Sequence, residues 1–131
     1  MIKKLILLIV FMSFVSCNSS SEIKKISSEN LILLDKNKDI QVVDVRRSKE
    51  YNSGHITGAI NIDFYKSSFV EDINKLDKSK TTVVYCKSGN RSNKSALIMD
   101  SLGFTDFYDF SEGMNGWIIA DNKIIILDSL Y

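Results

Sequence analysis

The sequence predicts an α/β fold in which helices cover both faces of a small central parallel sheet. Apolar segments typical of strands alternate along the chain with segments of helical periodicity, as in sheets built from crossover units. The segment Thr81–Cys86 is almost continuously apolar, which is typical of a strand that is buried on both faces. Because the chain has 131 residues, of which 44% are hydrophobic, we expect one domain with a single core.

The first sixteen residues predict a signal peptide that lies outside the fold. Lys3 and Lys4 precede the apolar run Leu5–Val15, which has eleven residues, whereas a membrane-spanning helix needs about 20. Ser16 and Cys17 then resemble the lipobox of bacterial lipoproteins, in which the cysteine after the cleavage site is lipidated. We therefore expect an exported protein of the cell envelope, held by a lipid on Cys17 at the periplasmic face or surface of a bacterial membrane. Ordinary signal cleavage with Cys17 as a free thiol is the alternative.

The rest of the chain divides into a tether and a domain. Residues 17–25 are polar and predict the lipidated N-terminus with a short tether, and residues 26–131 form the expected domain. The formal net charge is +1 and no basic patch stands out, which argues against nucleic acid as a partner. We expect a monomer.

Five helical segments are expected, each from local signals. Ser27 or Ser28 provides an N-cap for the first helix, and Ser48 provides one for a short helix or turn that stops at Gly54. Amphipathic spacing predicts the third helix, and Gly103 ends the fourth. In chain order the helical segments are residues 27–39, 48–54, 67–79, 92–103 and 112–119. The expected strands are Ile40–Arg46, Ala59–Ile62, Thr81–Cys86, residues 104–110 and, as a last strand or closing segment, residues 123–128.

Cys86 stands where a parallel sheet places its ligand site. It ends the buried strand, and a loop that contains Gly89 leads from it to Arg91 and the next helix. Successive loop N–H groups, the positive end of that helix and the charge of Arg91 would all favour the thiolate. Gly89 would let the backbone curl around the sulfur. The pattern predicts a nucleophilic cysteine, and a buried inert thiol is the alternative.

Three motifs in order resemble the rhodanese-type sulfurtransferases. The loop CKSGNRS resembles the active-site loop of that family, and Val42–Ile62 and Gly103–Trp117 are similar to its first and closing signatures. Together they cover about residues 26–119. Two departures are Thr57, where proline is common, and a single glycine before Met114, where two are usual.

The resemblance implies a reaction and a set of site residues. Cys86 would take a sulfane sulfur from a small donor such as thiosulfate and pass it, through a persulfide, to a thiol or to cyanide, without a metal or organic cofactor. Arg91 would steady the loop and its negative charge, and Lys87 would attract an anionic donor. The loop residues implied in substrate binding are Lys87, Ser88, Gly89, Asn90 and Ser92.

Two other functions stay open. Related Cys-dependent phosphatases and arsenate reductases are less favoured, because the phosphatases carry one more residue in the loop, whereas four residues lie between Cys86 and Arg91 here. A non-catalytic rhodanese-like binding module is the second alternative, although such modules often lose the cysteine.

Three further polar residues are expected to have structural rather than catalytic roles. Asp44 and Arg46 end a strand near the expected site and could support the loop, but we favour a structural ion pair, Arg46 with Glu50. His55, the single histidine, lies in a segment that is predicted as a turn. We expect it to be structural, since a cysteine that is already a thiolate needs no general base.

Overall fold

The computed structural model describes residues 22–127. Its strands are β1 (Ile40–Asp44), β2 (His55–Ile56), β3 (Ile60–Asn61), β4 (Thr81–Tyr85), β5 (Phe107–Phe110) and β6 (Ile124–Ile125). Its helices are α1 (Ser28–Asn37), α2 (Ser48–Asn52), α3 (Phe69–Asn74), α4 (Asn90–Ser101) and α5 (Gly113–Ile119). The predicted signal peptide and Cys17 lie outside the described residues.

The central sheet has four parallel strands in the order β3-β1-β4-β5. The register between its two middle strands runs from Ile40 opposite Thr81 to Asp44 opposite Tyr85. Since all the strands point the same way, their carboxyl ends meet at one edge, where helices α2 and α4 begin. This arrangement confirms the predicted parallel sheet and identifies the edge at which a ligand site is expected.

Alternate residues of each central strand enter two different cores. Val43 and Val84 pack in the core that holds Ile73 of α3 and Met99 of α4. The preceding residues of the same strands, Val42 and Val83, enter the opposite core. They pack there with residues of α1 and α5, among them Leu31, Met114 and Trp117. Because successive side chains of a strand point to opposite faces, the sheet is covered on both faces.

Helix starts differ slightly from the sequence predictions. Helix α4 begins at Asn90, two residues before the expected start, since Gly89 adopts the N-cap position with a left-handed φ of +99°. Ser48 is the first residue of α2 and Arg47 occupies the N-cap, so the expected Ser48 cap is wrong. Ser27 caps α1 as predicted, with its hydroxyl accepting a hydrogen bond from the Asn30 N–H at 3.3 Å.

A second, two-stranded sheet was not predicted. His55 and Ile56 form β2, which pairs antiparallel with β6. The segment around His55 had been predicted as a turn, because two residues are too few to show strand alternation. Within the described range, no helix has the length and apolar character required to cross a membrane.

The N-terminal segment lies along the outer edge of β5. Lys25 forms an isolated parallel bridge with Asp109. The Asp109 N–H donates to the Lys24 carbonyl at 2.8 Å, and the Ile26 N–H donates to the Asp109 carbonyl at 3.2 Å. Strand β5 is therefore hydrogen-bonded along both of its edges.

Candidate active site

Strand β4 delivers Cys86 to the carboxyl edge of the sheet, where the loop folds over its side chain. Cys86 is only 1% exposed. Its Sγ accepts a hydrogen bond from the Gly89 N–H at 3.1 Å and lies 3.6 Å from Ser92 Oγ. The thiol donates to that hydroxyl, and once the sulfur is ionised the hydroxyl can donate instead. The loop thus surrounds the sulfur with hydrogen-bond donors.

These donors outweigh the effect of burial on the thiol. Burial by itself raises the pKa of Cys86, but the N–H and hydroxyl of Ser92 and the N–H groups of Ser88 and Gly89 lower it, and the net shift is downward. The cause is that a thiolate accepts these hydrogen bonds more strongly than a thiol does. A larger fraction of Cys86 is therefore in its nucleophilic form at neutral pH than for an unperturbed cysteine.

Two glycines allow the loop to pack against the β5–α5 connection. Gly89 has a left-handed φ, and a Cβ there would come within 2.6 Å of the Ser111 carbonyl oxygen. At Gly113, with a φ of +60°, a Cβ would lie 2.5 Å from the Cys86 carbonyl oxygen and 2.6 Å from that of Lys87. A glycine is thus needed at position 89 because a side chain there would clash with the backbone of Ser111. From the sequence, we had expected a side chain at this position to interfere with the sulfur of Cys86 instead.

The first turn of α5 holds the backbone of the loop in place. The Met114 N–H donates to the Cys86 carbonyl at 2.9 Å, and the Asn115 N–H donates to the Lys87 carbonyl at 3.1 Å. The first N–H groups of a helix have no partner within the helix, so they are free for these bonds. With two of its carbonyls bound on this side, the loop can turn its own N–H groups toward the sulfur.

Arg91 is bound by an acidic side chain of α2. Its Nη1 and Nη2 donate to Glu50 Oε2 and Oε1 at 2.8 and 3.1 Å. The hydrogen bond from Arg91 is the main cause that lowers the pKa of Glu50. Glu50 was expected to pair with Arg46, so its pair with Arg91 was not predicted. The position of Glu50 within Val42–Ile62, the segment similar to the first family signature, was a signal that could have singled it out. Negative charge on Cys86 also contributes to a raised pKa of Arg91.

Asp44 and Arg46 form their own buried pair, which corrects the expected Arg46–Glu50 contact. Arg46 Nη2 lies 2.6 Å from Asp44 Oδ2, and the two side chains are only 7% and 0% exposed. The same Nη2 donates to the Gly54 carbonyl at 2.7 Å. Arg46 can reach Asp44, two residues earlier, because β1 ends at Asp44 and the chain leaves the sheet there. The pair therefore joins the end of β1 to the residues that follow α2.

The remaining predicted loop residues surround Cys86 and differ in exposure. Lys87, Ser88 and Asn90 are exposed, whereas Ser92 is fully buried beneath the loop. Lys87 borders a cavity of about 200 Å³ whose walls also include Arg46, Glu50 and Met114. The structure thus brings every predicted loop residue to one place, with cationic groups at the adjoining cavity.

His55 is held by local packing. It is buried, its ring stacks on Tyr51 with the centroids 3.8 Å apart, and its Nδ1 is 2.9 Å from the Tyr51 carbonyl. These contacts fit the expected structural role.

Comparisons with known proteins agree with this fold. The family model described as the Rhodanese-like domain matches residues 27–120. The thiosulfate sulfurtransferase GlpE of Shewanella oneidensis is 31% identical over 97 residues, covering 74% of this chain and 94% of the relative. GlpE of Pseudomonas putida is 35% identical over 97 residues, covering 74% of this chain and 86% of the relative.

A solved structure gives the same result at the level of the fold. The crystal structure of a rhodanese-related protein from Thermoplasma volcanium is 28% identical, with a TM-score of 0.71, and covers 79% of this chain and 98% of the other. The residues that match the family model include β4, the loop around Cys86, and helices α2 and α5, which hold the loop. The chain therefore belongs to the rhodanese-like family, which includes thiosulfate sulfurtransferases.

Proposed function

We propose that this protein is a sulfurtransferase that moves a sulfane sulfur from a donor such as thiosulfate to a thiol or cyanide through a persulfide on Cys86. One observation carries the proposal: the sulfur of Cys86 lies inside a loop whose N–H groups bind it and lower its pKa. The two GlpE relatives are thiosulfate sulfurtransferases, which supports the choice of donor.

The first half-reaction is a nucleophilic attack on sulfur. The Cys86 thiolate attacks the outer sulfur of thiosulfate, the bond between the two thiosulfate sulfurs breaks, and sulfite leaves with the electron pair. The product is a Cys86 persulfide anion, so total charge is unchanged. Because the hydrogen bonds of the loop lower the pKa of the Cys86 thiol, a larger share of the nucleophile is ionised before the attack. The negative charge then rests on the outer sulfur, where further N–H groups of the loop can bind it.

The second half-reaction returns the enzyme to its starting state. A thiolate or cyanide attacks the outer sulfur, the bond to the Cys86 sulfur breaks, and the electron pair returns to Cys86 as thiolate. With cyanide the product is thiocyanate. Lys87, which is exposed and borders the adjoining cavity, would attract anionic donors and acceptors. Because the two half-reactions are separate, ping-pong kinetics are expected.

The loop supports sulfur chemistry over the alternatives. Four residues separate Cys86 and Arg91, and the Gly89 N–H lies 3.1 Å from the sulfur itself, so the cradle is centred on the cysteine. A phosphoryl group would need room for three equatorial oxygens above the same sulfur. A binding module needs no lowered thiol pKa, and the loop supplies one.

Intact-mass spectrometry after treatment with thiosulfate tests the proposal. The protein should gain one sulfur atom (~32 Da) and lose it again when cyanide is added. Cys86→Ser should gain nothing, whereas Cys17→Ser, which removes the other cysteine of the chain, should react like the wild type.

Two outcomes would contradict the proposal. A folded wild-type protein that takes up no sulfur from thiosulfate, polysulfide or a low-molecular-weight persulfide would favour the binding module. Hydrolysis of an aryl phosphate that depends on Cys86, without formation of a persulfide, would favour the phosphatase alternative.

We also propose that the protein is exported and lipid-anchored through Cys17. The basic start, the short apolar run and the Ser16–Cys17 pair support this localisation. Expressed in a bacterium that processes lipoproteins, the wild-type protein should fractionate with membranes and incorporate a labelled fatty acid, and Cys17→Ala should do neither. Equal membrane retention of both proteins would contradict the anchor.

A further inference from the structure

The cavity beside the loop has an apolar wall that the two half-reactions do not use. Met114, Ile118 and Ile124 form part of the lining of this cavity of about 200 Å³. Met114 and Ile118 are four positions apart in α5, so their side chains lie on the same face of that helix. Ile124 comes from β6, and its Cδ1 lies 3.1 Å from the point where a Cβ on Gly54 would be. Apolar side chains from two elements therefore meet beside the loop.

Ile118 presents much of this wall to solvent. It is 56% exposed, whereas Met114 is only 3% exposed. Single exposed isoleucines are common on protein surfaces, as Ile119, with 85% exposure, illustrates. The position of Ile118 differs because it lines a cavity that begins at Lys87, the residue directly after the nucleophile. A ligand whose carbon atoms covered Ile118 would gain binding free energy by removing apolar surface from water.

The charged side of the cavity offers one free cation. Arg46 is bound by Asp44 at 2.6 Å, and both carboxylate oxygens of Glu50 accept hydrogen bonds from Arg91. Lys87 is exposed, and no carboxylate among residues 22–127 forms an ion pair with it. A ligand of this cavity therefore meets a positive charge next to the loop and apolar carbon atoms farther away.

The size of the cavity exceeds what the smallest acceptor needs. One water molecule occupies about 30 Å³ of the liquid, so the cavity has room for several carbon atoms, whereas cyanide has only two heavy atoms. Cyanide is also an anion and gains nothing from contact with apolar side chains. A thiol with a carbon chain uses both sides of the cavity, since Lys87 attracts its thiolate and the apolar wall receives its chain.

We propose that this cavity selects the acceptor of the second half-reaction, a thiol that carries an aliphatic chain of several carbons, and that Ile118 sets this preference. The inference rests on the proposed function, in which a thiol takes the outer sulfur from Cys86. The acceptor thiolate attacks that outer sulfur, the bond to the Cys86 sulfur breaks, and the electron pair returns to Cys86. The acceptor leaves as an alkyl persulfide anion, so total charge is unchanged.

The first test isolates the second half-reaction. The protein is loaded with sulfur from thiosulfate, freed of excess donor and mixed with one of a series of hydroxyalkanethiols, from mercaptoethanol to mercaptohexanol. Loss of the added sulfur is followed by intact-mass spectrometry, and rate constants are expressed per thiolate. Every acceptor of the series has the same reacting group and the same charge, so only the length of the carbon chain changes.

The rate constant should increase with chain length in the wild type. Each buried methylene should add about two- to fourfold until the cavity is filled. Ile118→Ser should lower the ratio of the mercaptohexanol rate to the cyanide rate by about three- to tenfold. Ile119→Ser is the matched control, because it changes the neighbouring exposed isoleucine, which does not line the cavity. It should behave like the wild type.

The second test requires no persulfide. Alkyl methanethiosulfonates, from the methyl to the hexyl reagent, transfer an alkylthio group to the free Cys86 thiolate, and sulfinate leaves. The carbon chain then begins one sulfur atom away from Cys86. The modified Cys86 peptide is quantified by mass spectrometry, so that Cys17 does not contribute. The rate should increase with chain length in the wild type and in Ile119→Ser, and much less in Ile118→Ser.

Three results would overturn the inference. One is a rate with mercaptohexanol no higher than that with mercaptoethanol. The second is an unchanged dependence on chain length in Ile118→Ser, which would mean that the chain lies elsewhere. The third is an equal loss in Ile118→Ser and Ile119→Ser, which would place the chain on the outer surface of α5. A protein that takes up no sulfur but reacts faster with longer methanethiosulfonates would contradict the proposed function and still support an alkyl-binding cavity, so the two failures are distinguishable.

Discussion

Glu50 and Arg91 are 41 residues apart in the sequence and form a two-point salt bridge, with nitrogen–oxygen distances of 2.8 and 3.1 Å. The pair joins α2 to the first turn of α4, directly beside the loop that holds Cys86. Glu50 Oε2 also accepts a hydrogen bond from the Arg47 N–H at 3.0 Å. One carboxylate therefore fixes both the start of α2 and the guanidinium at the end of the active loop.

Replacing Glu50 should loosen the loop more than it weakens the fold. Glu50→Gln should lower the free energy of unfolding by about 1 kcal/mol at neutral pH, because the pair is only partly exposed. The same substitution should also slow sulfur transfer in the folded protein, since Arg91 loses its fixed orientation beside the loop. The pKa of Glu50 is lowered by Arg91, so this stability is present above the ordinary glutamate pKa of about 4.3 and is lost as pH falls through the lower folded value. Urea denaturation of both proteins across that range checks the sign, and a constant difference at all pH values would contradict it.

Cys86 should make the stability of the protein depend on pH. The pKa of its thiol is lowered in the folded state, so the ionised form stabilises the fold above the ordinary thiol pKa of about 8.5. That contribution is lost as pH falls through the folded value. Relative to Cys86→Ser, the wild type should therefore gain stability as pH rises from below the folded pKa of the thiol to above its ordinary pKa of about 8.5. Urea denaturation under reducing conditions measures the difference, and parallel curves for the two proteins would show that the pKa is not lowered.

Gly113, which is in close contact with the loop, can be compared with Gly103, which also has a positive φ but has free space where a Cβ would lie. Gly113→Ala should cost the left-handed penalty of about 1–2 kcal/mol together with the clash against the Cys86 carbonyl oxygen, for a total of about 3 kcal/mol. Gly103→Ala is the matched control: its φ is +89° and no atom lies within 4 Å of the added Cβ. It should cost about 1 kcal/mol and leave the reactivity of Cys86 unchanged. Equal losses of stability in thermal or urea unfolding would show that the close approach is relieved without cost.

The buried Asp44–Arg46 pair should be far more sensitive than an exposed one. Arg46→Ala leaves a fully buried carboxylate without its partner and should destabilise the protein by about 3–5 kcal/mol. Lys80 pairs with Asp39 at 2.8 Å, but those side chains are 38% and 79% exposed, so Lys80→Ala should cost less than about 1 kcal/mol. Unfolding free energies of the two variants provide the comparison. Similar losses would contradict the expected cost of leaving the buried Asp44 side chain without the guanidinium.

The strand–loop–helix unit around Cys86 could be predicted because its signals are local. A continuous apolar strand, a glycine in the loop and a helical segment after Arg91 follow one another within about twenty residues. The two-residue strands β2 and β6 gave no such signal, since their pairing depends on chain segments about 70 residues apart. The N-cap at Gly89 was missed for the same reason, because its close approach to Ser111 belongs to the tertiary structure.

Charge pairing was harder to predict than position. The sequence indicated that Asp44 and Arg46 lie near the site, but the partner expected for Arg46, Glu50, was wrong. Arg46 pairs with Asp44 at the end of β1, and Glu50 pairs with Arg91. Asp109 gave no signal at all, because its burial depends on α4 covering one face of the sheet and on the N-terminal segment covering the edge of β5.

That covered edge also protects the protein against association. Without the segment around Lys25, the Asp109 N–H and carbonyl would be open to a strand from another molecule, as at any exposed edge of a sheet. The segment around Lys25 thus protects the sheet against edge-to-edge aggregation. A shortened chain that begins after Ile26 would lose this protection, although every residue of the loop around Cys86 would still be present.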